Sequence, residues 1–187
     1  MVAKFRRSGK GGAVVTFNAG EHRVFRHVLG EMLELLGDDP DEAAGGLEDD
    51  PLARAVGIGT ATEVPSDPAL ARLFPDGYTD DPDASADFRR YTEPGLRSGK
   101  RQGLETALAT LGEEPGKLVL DAEQAQAWLG ALNDSRLVLG ERLGVTEDLE
   151  ALVESLGEDD PRLPLLWVYD RLSYLQESLV DALWADG

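Results

Sequence analysis

Residues Ala127 to Gly144, AWLGALNDSRLVLGERLG, are a helix-forming run that joins an apolar stripe to a polar centre. Trp128, Leu132, Leu139 and Leu143 recur at intervals that keep them on one side of an α-helix, and Ala125 extends the stripe backwards. That side has to be buried. Asn133, Asp134 and Arg136 occupy the middle of the same run, so they either face solvent or sit at a contact that satisfies their hydrogen bonds. No catalytic constellation accompanies them, and the run therefore constrains the fold before it constrains the function.

A chain of 187 residues can bury a substantial core, and one domain over 1–187 is expected. Its 36 acidic residues against 18 basic ones leave a net charge of −18, which repels nucleic acid and anionic membranes at long range. Any DNA contact must then be local. Lys4, Arg6, Arg7, Lys10, Arg23 and Arg26 face Glu21 alone within residues 1–27, so the chain reads as a basic head, 1–12, on an acidic body. Within that head Lys4, Arg6, Arg7 and Lys10 are the candidates for non-specific DNA contact. The lack of cysteine excludes disulfides, thiolate zinc sites, a cysteine nucleophile and a thiol redox switch within this chain. The N-terminus has no continuous apolar stretch, and nowhere do about 18 uncharged apolar residues run together. A cytoplasmic location without membrane association is the expectation.

Ala13 to Phe17 reads as a short strand, after which Asn18 and Glu21 offer a capping box for an amphipathic helix through Val24, Val28, Met32, Leu35 and Leu36 to Gly37. Asp38 to Asp50 holds seven acids and no base, and is expected to be a mobile acidic loop. Prolines and glycines punctuate 51–82, leaving room for short helices at Pro51–Val56 and Pro68–Phe74. Residues 83–111 are helical in composition, and Pro94-Gly95 is expected to divide them into two helices. Lys117 to Leu120 is a second apolar strand, followed by a cap at Asp121 and the long helix. The two strands are expected to pair with each other. Thr146 to Leu156 reads as a short helix, and the last helix carries Leu165, Leu172 and Leu179 with Val168, Leu175 and Ala182 in a seven-residue seam. Placement of that seam in a helical bundle is favoured over a homodimer surface. The fold class is mainly α, a helical bundle with a minor two-stranded β element.

Motifs for chemistry are missing from the string. Ser8-Gly-Lys-Gly-Gly12 lacks the spacing of a phosphate loop, and Gly57-Ile-Gly59 lacks its third glycine. His22 and His27 lie about 140° apart around a helix, so one helix cannot bring both to one metal. The acidic stretch misses the calcium-loop pattern because Ala43 and Ala44 stand where ligands and glycine are needed. No catalytic residue, metal site or cofactor is assigned. The arginine-rich segment Phe88 to Arg101 could form a phosphate-binding face, since arginine makes forked contacts and the rings of Phe88 and Tyr91 can stack, but in so acidic a chain pairing of Arg89, Arg90, Arg97 and Arg136 with the chain's own carboxylates is favoured. Asn133 and Arg136 share a helix face and are expected to engage the Phe88–Arg90 helix, while Gly140 admits a close neighbour.

Phe88-Arg-Arg with Leu96-Arg-x-x-Lys100, Trp128-Leu-x-x-Leu-Asn-Asp-x-Arg-Leu-x-Leu-Gly-x-Arg-Leu-Gly144, and Val168-Tyr-Asp-x-Leu with Leu175-Gln-Glu-x-Leu179 together resemble an actinobacterial family of domains of unknown function that includes an oxidative-stress transcriptional regulator. The resemblance spans nearly the whole chain. It implies a non-enzymatic regulatory protein working through a protein partner, such as a sigma factor or another part of the transcription machinery. Members are commonly encoded beside the Clp-protease adaptor. The family's described regulator acts on sulfur-metabolism genes and senses oxidant through a CxxxC cysteine pair, which this chain lacks, so that sensing mechanism does not carry over. The candidate interaction or structural cluster comprises Arg89, Arg90, Arg97, Lys100, Asn133, Asp134, Arg136, Arg142, Tyr169, Asp170 and Gln176. The alternatives are an enzyme or small-ligand-binding protein with a site assembled from distant residues, or a Clp-linked adaptor.

Overall fold

The computed structural model describes residues 2–9, 11–37, 64–78, 80–146, 149–157 and 159–184. The acidic stretch 38–50, the helix expected at 51–56 and Lys10 lie outside them. As expected, the architecture is mainly α with a minor β element. Strands β1 (Arg6–Ser8), β2 (Gly12–Thr16) and β3 (Lys117–Leu120) form one antiparallel sheet in that order. The two apolar strands pair as anticipated, Ala13 opposite Leu120 and Thr16 opposite Lys117.

The third strand comes from the basic head, with Arg6 opposite Val14 and Ser8 opposite Gly12. Along residues 2–6 burial alternates with the period of an extended chain: Val2, Lys4 and Arg6 face out, Ala3 and Phe5 face in. Two inward side chains are too few to give a readable pattern. They nonetheless make the head part of the core, because Phe5 is fully buried and meets Trp128 edge to face at 5.9 Å.

Helix α1 (Ala19–Leu36) begins with the expected capping box. The Asn18 side chain accepts from the backbone N–H groups of Gly20 and Glu21, and the Glu21 carboxylate accepts in return from the Asn18 N–H. Helix α2 (Pro68–Leu73) is short, and α3 (Pro82–Leu111) runs for 30 residues. Helix α4 (Ala122–Leu143) carries the apolar stripe and ends at Gly144, whose φ of 68° is the left-handed conformation that glycine adopts without steric penalty. Helix α5 (Leu149–Ser155) starts later than the sequence suggested, and α6 (Leu163–Trp184) closes the fold.

Helix α4 is the hub. It packs against α6, α3, α2 and strand β2, and is therefore buried on more than its stripe: Trp128 and Leu132 are enclosed, and so are Ala131, Ser135 and Val138. Phe17 stacks on Trp128 from the sheet side at 5.8 Å, which seals the sheet onto the helices. Gly140 does admit a close neighbour, since a Cβ there would stand 3.2 Å from Cε2 of Tyr169 on α6.

Two expectations are corrected. Helix α3 is continuous through Pro94 rather than divided. A proline removes one backbone donor, and here Glu93 bridges the weakened turn by accepting from Arg89 on one side at 2.9 Å and from Arg97 on the other at 2.7 Å. Packing along α1 and α4 holds the axis as well. In α6 the first position of the seam is displaced by one residue from that read. Leu172, Leu175, Leu179 and Ala182 are buried, but Leu165 is 47 % exposed and Leu166 takes the inner position.

Candidate interaction site

The arginines of α3 are largely consumed within the fold. Arg89 is buried, and its guanidinium donates to the Phe74 carbonyl at 3.1 Å, to Glu93 at 2.9 Å and to Asp76 at 2.7 Å. The hydrogen bond from Arg89, aided by one from Ser85, holds the Asp76 carboxyl below the usual carboxylate range. Burial disfavours the charge on Arg89, but the bonds to Asp76 and Glu93 outweigh it and raise the guanidinium's pKa. Arg97 donates to the Leu36 carbonyl at 2.7 Å and lies 4.5 Å from the centre of the Phe74 ring. Arg101 donates to the Gly37 carbonyl and pairs with Glu105. Two arginines thus satisfy carbonyls at the C-terminal end of α1, where orphan acceptors favour cations.

Between these two arginines, Lys100 pairs with Asp134 of α4 at 2.8 Å, and Asp134 is buried. The expected contact of Asn133 and Arg136 with the Phe88–Arg90 end is not formed. Adjacent helical residues point about 100° apart, so Asp134 faces α3 while Asn133 faces α6 and accepts from Gln176 at 3.3 Å. Arg136 and Arg90 are half-buried and make no ion pair among the described residues. Arg142 lies 3.6 Å from Asp67 at the start of α2, and Asp170 is exposed. Beside the Lys100–Asp134 pair runs a groove of about 430 Å³ lined by glycines of both helices, Gly95, Gly99, Gly103 and Gly130. The polar residues picked out from sequence are therefore separate latches along α3, α4 and α6.

A further buried pair had only half a sequence signal. Arg171 of α6 donates to the Ala3 carbonyl at 3.0 Å and to Glu21 at 3.3 Å, and its guanidinium sits 5.0 Å from the Tyr174 ring centre. Glu21 was legible as a capping residue. Nothing in the apolar run around Arg171 tells that it points inward. His22 is buried with Nε2 3.2 Å from the Gly112 carbonyl, while His27 is exposed beside Glu31, so the two histidines share no site. Among the described residues no group of three or more histidines and carboxylates is placed to hold a metal, and no helix is long and apolar enough to cross a membrane.

These latches tie together segments from one end of the sequence to the other, and similarity to known proteins extends over the same range. Residues 2–183 match the domain of unknown function DUF2017. The chain belongs to the DUF2017 family. It is 34% identical over 178 residues to the putative oxidative stress regulator AosR of Mycobacterium leprae, covering 88% of this chain and 79% of the relative. It is 34% identical over 174 residues to the oxidative stress regulator AosR of Mycobacterium tuberculosis (strain H37Rv), covering 86% of this chain and 77% of the relative. No solved structure matches this DUF2017 chain. The segments that carry the motifs of this DUF2017 protein lie on α3, α4 and α6, the three helices joined by the Lys100–Asp134 and Asn133–Gln176 contacts.

Proposed function

We propose that this protein is a non-enzymatic, cytoplasmic regulator of the oxidative-stress response that acts on transcription through a protein partner such as a sigma factor, with the whole chain working as one family domain. The similarity to the two mycobacterial regulators over most of both chains carries this reading. The interior agrees with it. Glu93 is engaged by Arg89 and Arg97, Asp134 by Lys100 and Glu21 by Arg171, so these buried carboxylates serve as partners of cations rather than as groups open to a substrate. With no cysteine, this chain responds to oxidant through its partner or an effector rather than through a thiol of its own. Direct DNA contact through Lys4, Arg6, Arg7 and Lys10 is the weaker route, because the net charge of −18 opposes it.

The test combines transcript profiling of a deletion strain under peroxide with affinity purification from the native cell. Altered oxidative-stress transcripts and recovery of a sigma factor or polymerase support the reading. Unchanged transcripts, or exclusive recovery of Clp components, overturn it. A small-ligand-binding protein is the second reading, favoured by the groove between α3 and α4 with Lys100 and Asp134 on its wall.

A further inference from the structure

The outward face of the sheet departs in charge from the rest of the molecule. Arg6 stands opposite Val14, and Val14 stands opposite Val119, so three outward side chains cross the sheet in one row. The next row holds Thr16 opposite Lys117, and Lys4 faces outward on the extended chain leading into β1. Lys4, Arg6, Val14, Thr16 and Lys117 line a groove of about 500 Å³ that contains no carboxylate. In a chain with twice as many acids as bases, Lys4, Arg6 and Lys117 make no ion pair among the described residues; Arg90 and Arg136 make none either, but on the sheet three such cations share one face. The valines are equally unpartnered: Val119 is 59% exposed and Val2 is 60% exposed.

From this we infer that the outer sheet face docks an acidic segment of a partner protein that presents carboxylates and apolar side chains on one face. Carboxylates on the face of that segment turned toward the sheet would meet Lys4, Arg6 and Lys117, and apolar side chains on the same face, two residues along an extended chain, would cover Val14 and Val119. The inference rests on the reading above only in taking the partner to be a protein. Phe17, the aromatic residue in the groove's lining, is buried and stacked on Trp128, so it offers no face to a base, and the acidic body repels a polyanion; nucleic acid therefore fits this face poorly. Two copies of the chain would each bring −18, which opposes self-association through one small basic face.

The experiment uses the full, isotope-labelled chain and a synthetic peptide of repeated Glu-Ser-Val-Ser units, which in extended form carries glutamate and valine on one face, with the same peptide bearing lysine for glutamate and a mixed-sequence single-stranded oligonucleotide as comparators. Backbone resonances of residues 2–6, 12–16 and 117–120 are expected to shift with the acidic peptide alone. The double reversal Lys4→Glu with Lys117→Glu is expected to weaken binding about tenfold or more, and added salt to weaken it too. Arg23→Glu with Arg90→Glu changes the net charge equally and is expected to leave binding within about twofold, because long-range effects are screened. Val119→Ser weakens binding without any change of charge. The proposal is overturned by shifts elsewhere or none, by equal loss in both double variants, by tighter oligonucleotide binding on this face, or by self-association through it. Peptide binding that persists while deletion leaves the stress transcripts unchanged removes the regulatory reading and keeps the face. The opposite pattern removes the face alone.

Discussion

Arg171 and Glu21 meet at 3.3 Å although 150 residues of chain separate them. The contact works as a clasp on the N-terminal segment: Glu21 accepts from the Ala3 N–H at 3.0 Å, and Arg171 donates to the Ala3 carbonyl at 3.0 Å. Two residues on, the Phe5 N–H donates to Ser178 of α6 at 3.1 Å. The position of β1, and of the cations it displays, follows from those contacts. Arg171→Ala is expected to destabilise the protein by about 3–5 kcal/mol, because it strips a buried carboxylate of its cation. Urea unfolding measures this, and a double-mutant cycle with Glu21→Gln should show strong coupling; additive losses would mean that the two side chains act independently.

Within α4 the three central polar residues should differ in cost. Arg136→Ala is expected to change stability by under about 1 kcal/mol, since it breaks no ion pair among the described residues. Asn133→Ala should cost about 1 kcal/mol through the lost bond to Gln176. Lys100→Ala should cost more, about 1–3 kcal/mol, because Asp134 stays buried without its cation. Chemical denaturation orders them, and an Arg136 variant that proved the most damaging would contradict this account.

Pro94 sits inside a continuous helix and leaves one backbone acceptor without its helical donor. Pro94→Ala restores that donor, and the Arg89–Glu93–Arg97 bridge already holds the geometry. An increase in stability of about 1–3 kcal/mol is expected by thermal unfolding. Unchanged or lowered stability would show that Pro94 shapes α3 in a way the surrounding contacts do not replace.

Acid should loosen the turn that joins α2 to α3. The Asp76 carboxyl lies below its ordinary value because Arg89 and Ser85 hydrogen-bond it, so as pH falls the unfolded chain takes up this proton first. Its contribution is fully present above the unfolded pKa of about 4 and is lost as pH falls through the lower, folded value. The same sign holds for Asp160, held down by Arg162. Stability measured against pH should therefore fall less steeply on the acid side for Asp76→Asn than for the wild type; parallel curves would exclude Asp76 as a contributor.

Without cysteine the purified chain has no reversible thiol response. Peroxide or diamide should leave its circular dichroism, elution volume and partner affinity without any change that a thiol reductant reverses. Oxidation of Met1 or Met32 is a separate route that such a reductant does not undo. A change cured by the reductant would refute the prediction.

By itself the sequence determined whatever is encoded within a few turns of chain: the Asn18 and Asp121 caps, the apolar strands at β2 and β3, the stripe of α4 and the mainly α class. Each of these rests on neighbours in sequence, so local periodicity and capping chemistry suffice. Tertiary structure alone decided that the basic head contributes a strand, Arg6–Ser8, since only Ala3 and Phe5 point inward and their cover comes from Trp128 and α6. It also decided that α3 passes through Pro94, because packing and the flanking arginines outweigh one lost backbone bond. The choice of partner for each polar residue was equally beyond local reading: a step of about 100° sends Asp134 to Lys100 and Asn133 to Gln176, and the direction of the neighbouring helices is a property of the assembled fold.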